Sequence, residues 1–499
     1  MHSVDATTEQ MIRSVLAYAE DRLRLDPVPL DRGSCDPADL DAALSSQLGG
    51  TPGTGGPGHW LLGEHGHDPD LVLAAYASTL APAVISADSP RFLGFIPAAP
   101  TKAALLFDML VSCASIQGIS WLEAAGAIHA ENQVLNLIAQ RAGLPETAGG
   151  CFVAGGSAAN LSALAVAREM AKRRSAGHGA PDGGAPAGPA PEGGAPDGGQ
   201  YGAQHGRRWR VIVGSDAHSS VASTLRLLEM DPLVVTAPGH RLTGAAVRAA
   251  IAADPDPGSL AAMVATSGTT NAGIIDDLAS LAGVAREYGL WFHVDGAYGG
   301  AGLFAPSVRD RYAGLEHADS FVVDPHKWLF APYDCAALLY REPALARSVH
   351  RQDASYLDVI HEQPAEWNPT DYAYHLTRRA RGLPLWFSLA VHGTAAYTAA
   401  IEAAIALARA AADEIRSRPD LELICEPDLS VVLFRRRGWA AADYTRWADQ
   451  LLADQVAFLP PTSWEGETVA RLAFLHPHTP LSLVADVLDR MTDEAPAGQ

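Results

Sequence analysis

A chain of 499 residues exceeds what one hydrophobic core usually supports, so we expect two or three packed units. Hydrophobic residues form 48% and charged residues 19% of the sequence, which is typical of a soluble globular protein with a large core. The formal charge of −21 argues against electrostatic binding to nucleic acid or to an anionic membrane, and we expect neither as a partner.

The sequence carries no signal for metal binding, secretion or membrane insertion. Its five cysteines are widely spaced and form no CxxC pair, so neither a zinc site nor a disulfide framework is predicted. The N-terminal segment lacks the apolar stretch of a signal peptide, and no apolar run reaches the roughly 20 residues needed to span a bilayer. We therefore expect a cytoplasmic protein without a bound metal.

The N-terminal part of the chain is predicted to be mainly helical. An amphipathic helix precedes a Gly/Pro-rich loop at 49–58, and helical patterns return at 103–112 and 124–140. The run of Gly, Ala and Pro at 175–200 cannot bury enough apolar surface to offset its ordering entropy, so we predict a disordered surface insertion there.

After this insertion, short apolar runs alternate with helical segments, which predicts a mainly parallel sheet flanked by helices. The runs that we interpret as buried strands are 210–213, 233–236, 262–266, 291–294 and 321–323. Helices are expected at 219–229, 278–288 and 385–416, and a small α+β unit with strands 430–435 and 470–475 and helix 481–491 ends the chain.

These patterns predict an α/β protein in three parts. An N-terminal helical segment covers 1–100, a large α/β domain covers 101–385 with the insertion at about 175–207, and a small α+β domain covers 386–499.

Polar clusters follow four of the predicted strands, where a parallel sheet binds its ligands. They are Ser215-Asp216-Ala217-His218, Ser267-Gly268-Thr269-Thr270, Asp295-Gly296-Ala297 and Asp324-Pro325-His326-Lys327. Gly156 and Ser157 also open a strongly helical run, and free N–H groups at a helix start can bind phosphate. A Gly-Gly-Ser turn that only begins a helix is the alternative interpretation.

Two residues of these clusters could bind different parts of one ligand that carries a pyridine ring and an aldehyde. Asp295, at a strand end, could pair with a pyridinium nitrogen and so make the ring an electron sink. Lys327, among apolar neighbours, could attack an aldehyde as a nucleophile. Either residue taken alone could instead belong to an ordinary ion pair.

Five motifs in order carry a family resemblance from about Phe92 to the C-terminus. They are CFVAGGSAANLSALAVAR (151–168), SDAHSS (215–220), ATSGTTNAGIIDDL (265–278), HVDGAYGG (293–300) and DSFVVDPHKWLFAPYDCAALL (319–339). With them the sequence resembles the group II decarboxylases that depend on pyridoxal 5'-phosphate (PLP), among them aromatic amino acid, tyrosine, glutamate and 2,4-diaminobutyrate decarboxylases.

The resemblance implies a PLP-dependent transferase fold of type I, decarboxylation of an L-amino acid, and a cofactor bound as a Schiff base on Lys327. It implies that Asp295 pairs with the pyridine nitrogen and that His218 stacks on the ring. The other implied cofactor-binding positions are Gly156, Ser157, Thr266, Ala297 and His326. Asp324 stands where several relatives have asparagine, which leaves its phosphate role open.

The resemblance also assigns a proton donor. Tyr356 aligns with a loop tyrosine that protonates the substrate carbon after CO₂ leaves. Relatives with phenylalanine at this position tend toward aldehyde formation, so Tyr356 favours simple decarboxylation to an amine.

Substrate choice rests on three predicted pocket positions. Where aromatic-specific relatives carry aromatic rings, this chain keeps Phe95 but has isoleucine at Ile96 and Ile119. Fewer rings weaken stacking on an indole or phenol. We therefore expect an aliphatic or smaller amino acid as the substrate.

The resemblance further implies a homodimer with shared active sites, in which the N-terminal segment serves dimerisation. Two other classes of function stay open at this point. An aminotransferase or carbon–sulfur lyase of the same fold would also need a lysine and an aspartate, and a relative could bind PLP without catalysis. The filled catalytic positions favour an enzyme, a PLP-dependent carboxy-lyase.

Overall fold

The computed structural model describes residues 2–30, 33, 35–48, 65–97, 99–177, 208–352, 360 and 366–493. The chain divides into two compact units. The smaller unit contains Met1–Lys102, Ala406–Glu426 and Val432–Gln499, and the larger contains Ala103–Ile405 and Pro427–Val431. The predicted three-part division at residues 100 and 385 stays a prediction. The predicted disordered insertion falls mostly on 178–207, outside the described residues.

The larger unit is built around one mixed sheet, with seven strands among the described residues. In chain order they are β1 (Gly149–Val153), β2 (Arg210–Gly214), β3 (Asp231–Val235), β4 (Leu260–Thr266), β5 (Trp291–Asp295), β6 (Ser320–Val323) and β7 (Ala336–Tyr340). Their spatial order is β1-β7-β6-β5-β4-β2-β3. Strands β3, β2, β4, β5 and β6 are mutually parallel, whereas β7 runs antiparallel to both of its neighbours. The five predicted strands are all present, and β1 and β7 are additional.

Helices cover this sheet, which is why its central strands carry apolar side chains on both faces. The helices of this part of the chain are Lys102–Cys113, Trp121–Ala142, Gly156–Ser175, Ser219–Leu227, Gly244–Ala253, Leu278–Tyr288, Pro325–Trp328 and Pro343–His350. The helix Leu278–Tyr288 shows how the sequence sets such bounds. Asp277 caps its start by accepting from the backbone N–H of Ser280, and Gly289 ends it with φ of 65°.

The helix Gly156–Ser175 decides where the site lies. Its inner face carries fully buried apolar side chains, three of them alanine: Ala159, Ala163, Leu164 and Ala167. These residues pack into the core with strands β1, β2, β4 and β7. Because small residues let the helix lie close to the sheet, its N-terminus sits at the carboxyl ends of the parallel strands.

The smaller unit holds a second sheet. Its strands are β8 (Leu421–Leu423), β9 (Val431–Arg436), β10 (Thr462–Trp464) and β11 (Glu467–Ala473), in the order β10-β11-β9-β8. The helices of this part are Ala6–Arg24, Pro37–Leu48, Pro69–Ala75, Ala441–Ala453 and Leu481–Asp493. The two predicted strands and the last predicted helix of the small α+β unit are present.

The helix Leu383–Ser417 runs from the larger unit into the smaller and is interrupted at Gly393, where φ is 72°. Among the described residues it alone has the length and mean hydropathy of a membrane span, by those two criteria only. Its buried residues Ile401, Ile405, Ala408, Ala412 and Ile415 recur at helical spacing. That pattern is typical of a helix packed against a protein core.

Candidate active site

A cavity of about 290 Å³ opens where the parallel strands end. Eight sequence-predicted residues line it together: Gly156, Ser157, His218, Thr266, Asp295, Ala297, His326 and Lys327. Asn160, Ser220, Tyr298 and Asp324 line it as well. The cavity therefore brings together eight of the predicted cofactor-binding residues from strand ends that lie far apart in sequence.

Asp295 is a buried carboxylate whose hydrogen-bond donors among the described residues are neutral. It is 5% exposed, its Oδ2 accepts from the side-chain amide of Asn160 at 2.9 Å, and its Oδ1 accepts from the backbone N–H of Ala297 at 3.0 Å. No lysine, arginine or histidine among the described residues forms an ion pair with it. A buried anion of this kind fits a ligand that brings its own positive charge, as a protonated pyridine ring does.

Behind Asp295 lies a chain of hydrogen bonds that sequence reasoning missed. The Oδ1 atom of Asn160 accepts from His293 Nε2 at 2.9 Å, and His293 Nδ1 lies 2.8 Å from the hydroxyl of Ser320. Trp291 Nε1 donates to the same hydroxyl at 2.8 Å. Burial lowers the pKa of His293 to about 4, so its imidazole is neutral at physiological pH.

The same asparagine also reaches His218. Its amide donates to the hydroxyl of Ser220 at 3.0 Å, and that hydroxyl lies 2.8 Å from His218 Nδ1. His218 caps the start of the helix Ser219–Leu227, where its Nδ1 accepts from the backbone N–H of Ser220 at 3.2 Å. The only sequence signals for these contacts are the position of Asn160 in the GGSAAN motif and of Ser220 in SDAHSS.

Lys327 is paired with Asp324 and not with Asp295. Its Nζ lies 3.0 Å from Asp324 Oδ2, an oxygen that also accepts from the backbone N–H of Gly156 at 3.2 Å. Asp324 is 2% exposed, and its other oxygen has no hydrogen-bond partner in the part of the chain that the structure describes. A carboxylate thus sits at the helix start where the sequence predicts a phosphate, with unused hydrogen-bonding capacity.

His326 completes this end of the cavity. Its Nδ1 accepts from the backbone N–H of Cys335 at 2.9 Å, so its proton lies on Nε2, which is 3.5 Å from Asp324 Oδ2. Burial lowers the pKa of His326, with the positive charge of Lys327 contributing in the same direction. Neutral His326 can therefore donate to an anion held at the helix start.

Glycine lets the helix start lie close to the strand ends at position 156. A Cβ atom there would lie 3.0 Å from Ala297 Cβ and 3.1 Å from Asp324 Oδ2, closer than ordinary contact distance. A side chain at this position would push these neighbours away by a few tenths of an ångström. Lys327 fits the aldehyde of PLP, Asp295 fits its ring nitrogen, and the backbone N–H groups at the helix start fit its phosphate.

Thr266 and Tyr298, which both line the cavity, are held by neighbouring side chains. The backbone N–H of Thr266 donates at 2.7 Å to Asp276, a carboxyl whose pKa burial raises to about 7. Tyr298 stacks on Trp328 at 5.3 Å between ring centroids, and its hydroxyl lies 2.5 Å from that of Ser430. These contacts hold the cavity wall from inside the same unit.

The predicted substrate-pocket residues are distributed over the two units. Phe95 and Ile96 belong to the smaller unit, where Phe95 is 60% exposed and its ring lies 5.8 Å from that of Phe458. Ile119 belongs to the larger unit and is half-buried. Tyr356 lies outside the described residues. The roles assigned to these four residues stay predictions.

The sequence matches the family described as "Pyridoxal-dependent decarboxylase conserved domain" over residues 62–183 and 205–437. The chain belongs to this family. As a pyridoxal-dependent decarboxylase it uses PLP as its cofactor and is a carboxy-lyase that acts on an amino acid, so these three predictions are confirmed.

Several characterised relatives resemble this decarboxylase over most of its length. It is 28% identical to the aromatic-L-amino-acid decarboxylase of Bacillus atrophaeus, over 83% of each chain. It is 30% identical to tryptophan decarboxylase TDC1 of Camptotheca acuminata, over 72% of this chain and 69% of the relative. It is 29% identical to the L-2,4-diaminobutyrate decarboxylase of Rhizobium meliloti, over 92% of this chain and 89% of the relative.

Solved structures confirm the predicted fold class of the decarboxylase. A crystal structure of Oryza sativa TDC with PLP and tryptamine matches with a TM-score of 0.82 over 99% of each chain, at 23% identity. A crystal structure of mouse CSAD matches with a TM-score of 0.80 over 98% of each chain, at 20% identity.

Proposed function

We propose that this decarboxylase converts an L-amino acid with an aliphatic or small side chain into the corresponding amine and CO₂, with Lys327, Asp295, His218 and Tyr356 as its catalytic residues. The observation that carries the role of the cavity is a pair of buried carboxylates in its lining, one paired with a lysine and one with no cationic partner among the described residues. When bound, PLP supplies an electron sink for the carbanion that loss of CO₂ leaves behind.

Lys327 is the amine that binds the cofactor covalently in this proposal. Its ammonium group is held by Asp324 beside the start of the helix Gly156–Ser175, where the backbone N–H groups of Gly156 and Ser157 bind the phosphate. His326 Nε2 donates to the same anion. The side chain of Lys327 is 25% exposed, so a carbonyl compound that enters the cavity can reach it.

Asp295 keeps a proton on the ring nitrogen. Its position in a buried, neutral hydrogen-bond network supports this role, because only a cation in the cavity balances its charge. His218 lies against the ring, and Thr266 and Ala297 line its edge. Each of these residues borders the same cavity.

Tyr356 supplies the proton that the substrate carbon takes up after CO₂ has left. The proposal rests on the alignment of its loop with that of the resembled decarboxylases. Substitution Tyr356→Phe removes the donor, so amine release should fall. In air, where dioxygen can oxidise the unprotonated carbanion, aldehyde and ammonia should accumulate, while the visible absorption of bound PLP stays unchanged. Equal amine release by both proteins would refute the assignment.

Isoleucine at positions 96 and 119 supports an aliphatic or smaller substrate, because neither side chain can stack on an indole or phenol. The relatives named above include decarboxylases of aromatic amino acids and of 2,4-diaminobutyrate. A panel of leucine, valine, 2,4-diaminobutyrate, DOPA and tryptophan, with amine release as the readout, separates the classes. Preference for DOPA or tryptophan would refute an aliphatic substrate.

The same panel tests the reaction class. Purified protein with PLP should release CO₂ and amine in equal amounts. Production of a keto acid would indicate an aminotransferase. Release of a thiol from an S-alkyl cysteine, added to the panel because none of its members contains sulfur, would indicate a carbon–sulfur lyase. Production of an aldehyde in place of the amine would indicate decarboxylation coupled to oxidation.

We further propose a cytoplasmic homodimer that binds neither nucleic acid nor membranes. The helix Ala6–Arg24 supports dimerisation, because it has no buried residue and exposes Met11, Ile12, Val15 and Leu16. Light scattering after gel filtration should give twice the mass of one chain, and the double variant Val15→Asp, Leu16→Asp should give a larger monomer fraction. A fully active wild-type monomer would contradict the proposal.

A further inference from the structure

One side-chain amide joins two parts of the cavity. Asn160 is fully buried, and its two N–H groups go to different partners, Asp295 at 2.9 Å and Ser220 at 3.0 Å. A carboxylate can only accept, so the nitrogen of the amide and not its oxygen faces Asp295. The orientation of Asn160 is therefore determined by its surroundings.

The direction of every bond behind the amide follows from this orientation. The oxygen of Asn160 can only accept, so His293 carries its proton on Nε2. Neutral His293 then accepts at Nδ1 from the hydroxyl of Ser320, which itself accepts from Trp291 Nε1. No donor in this series is left without an acceptor, so the network holds Asn160 in a single orientation.

The second N–H of the amide determines the state of His218. Because the hydroxyl of Ser220 accepts from Asn160, its own hydrogen is free to go to His218 Nδ1. The backbone N–H of Ser220 points at the same nitrogen, at 3.2 Å. His218 Nδ1 is therefore an acceptor, and the proton of the ring lies on Nε2.

From these contacts we infer that Asn160 is a positioning residue that couples Asp295 to His218. One amide hydrogen stabilises the charged form of Asp295, and the other fixes, through Ser220, the tautomer of His218. The inference rests on the proposed roles of these two residues toward the cofactor. It adds a residue whose role is exerted through its two neighbours, Asp295 and Ser220.

A consequence for the ring nitrogen follows. A hydrogen bond to a carboxylate favours its charged form, so loss of the amide favours transfer of the shared proton from the ring nitrogen to Asp295. Loss of the hydroxyl of Ser220 has no such effect, because the bond from Asn160 to Asp295 remains. The two arms of the amide can thus be separated by substitution.

The test uses holoenzyme loaded with PLP that carries ¹⁵N at the ring nitrogen, whose NMR chemical shift distinguishes a protonated from an unprotonated ring. The wild type should give the protonated shift. Asn160→Leu keeps the size of the side chain but removes its hydrogen bonds. This variant should move the shift toward the unprotonated value. It should also lower kcat about 10- to 100-fold, the loss that is typical when a residue supporting a directly acting group is removed. Ser220→Ala should leave the shift unchanged and lower kcat with little effect on KM.

The matched control is Ser259→Leu. Ser259 is also fully buried in the larger unit, directly before β4, and its hydroxyl donates to the carbonyl of Asp256 at 2.7 Å. It does not line the cavity. This variant also replaces a buried, hydrogen-bonded side chain with leucine, so it should lose thermal stability but keep the ring-nitrogen shift and kcat of the wild type.

Two outcomes would overturn the inference. The first is an Asn160→Leu variant that keeps both the protonated shift and a kcat equal to that of Ser259→Leu. The second, which applies even where Asn160→Leu does not fold, is a Ser220→Ala variant with wild-type kcat and pH profile. Asp295→Asn is the reference: if it too keeps the protonated shift, the proposed role of Asp295 is wrong, and the failure lies there.

Discussion

Two buried carboxylates line the cavity, and their surroundings differ. Asp295 is 5% exposed and Asp324 is 2% exposed. Asp295 accepts from a side-chain amide and a backbone N–H and pairs with no cation in the described part of the chain. Asp324 accepts from a backbone N–H and pairs with Lys327 at 3.0 Å, and its second oxygen has no partner among the described residues.

This difference indicates which charge on a ligand each of the two carboxylates favours. A buried anion with neutral partners favours a ligand with a positive charge, which the protonated ring of PLP provides. A buried anion that already has a cation disfavours a second anion such as the phosphate. The carboxylate of Asp295 therefore favours binding of the ring of PLP, whereas the carboxylate of Asp324 disfavours binding of its phosphate.

Removal of the lysine should have the largest effect. Lys327→Ala leaves no amine to bind PLP covalently, so kcat should fall at least about a thousandfold. The visible absorption of lysine-bound PLP should be absent. Lys172→Ala, at an exposed lysine beside Glu169, is the control and should keep both properties. Covalent PLP in Lys327→Ala, detected by mass spectrometry after borohydride reduction, would show that another residue binds it.

The substitution Asp295→Asn should have the next largest effect. It removes the charge that opposes the ring cation, so kcat should fall about 100-fold or more and PLP should bind about tenfold more weakly. Steady-state kinetics and titration of the apoenzyme with PLP measure the two quantities. An unchanged affinity and kcat would show that Asp295 does not face the ring nitrogen.

Replacement of Asp324 by asparagine should have the opposite effect on the affinity for PLP. Asp324→Asn removes an anion beside the start of the helix Gly156–Ser175 and adds an N–H donor, so the apoenzyme should bind PLP about tenfold more tightly. Titration under the conditions used for Asp295→Asn gives a direct comparison. Weaker binding would show that Asp324 supports the cofactor and does not oppose its phosphate.

A third buried carboxyl, away from the cavity, sharpens the comparison. Glu131 is 3% exposed and accepts from the backbone N–H of Gly382 at 2.7 Å, and burial raises its pKa to about 7. A raised pKa means that the folded state binds this proton more tightly than the unfolded state. Its contribution to stability is therefore full below the unfolded pKa and is lost as pH rises toward about 7.

Glu131→Gln should remove this pH dependence. Between about pH 5 and pH 8 the free energy of unfolding of the wild type should fall relative to that of the variant by up to about 3 kcal/mol. Urea unfolding of the apoenzyme at both pH values measures the difference. Glu146→Gln, at an exposed position, should follow the wild type. A difference that does not change with pH would show that Glu131 is charged throughout.

The sequence was sufficient to predict the parallel strands of the larger sheet. Strands β2 to β6 are apolar runs between helical segments, and their polar ends converge because parallel strands share one edge. Strand β1 was missed because it begins with Gly149 and Gly150, which reduce strand propensity. A side chain at Gly150 would collide with the carbonyl of Leu338, so this glycine reflects the close approach of β7.

The contacts of the site could not be predicted in the same way. The sequence indicates that Asp295 and Lys327 share an edge, but the choice of Asp324 as the partner of Lys327 depends on a short helix, Pro325–Trp328, that brings the two side chains together. Asn160 lies 135 residues from Asp295 in the sequence. No local pattern identifies its bond to that carboxylate, which exists only because the helix Gly156–Ser175 packs closely on the sheet.

A crystal structure of the holoenzyme tests the central claim most directly. The account predicts continuous density between Lys327 Nζ and the cofactor, the ring nitrogen within about 3 Å of an Asp295 oxygen, and the phosphate on the backbone N–H of Gly156. A ring nitrogen that contacts a residue other than Asp295, or a phosphate bound next to Asp295, would contradict the central claim.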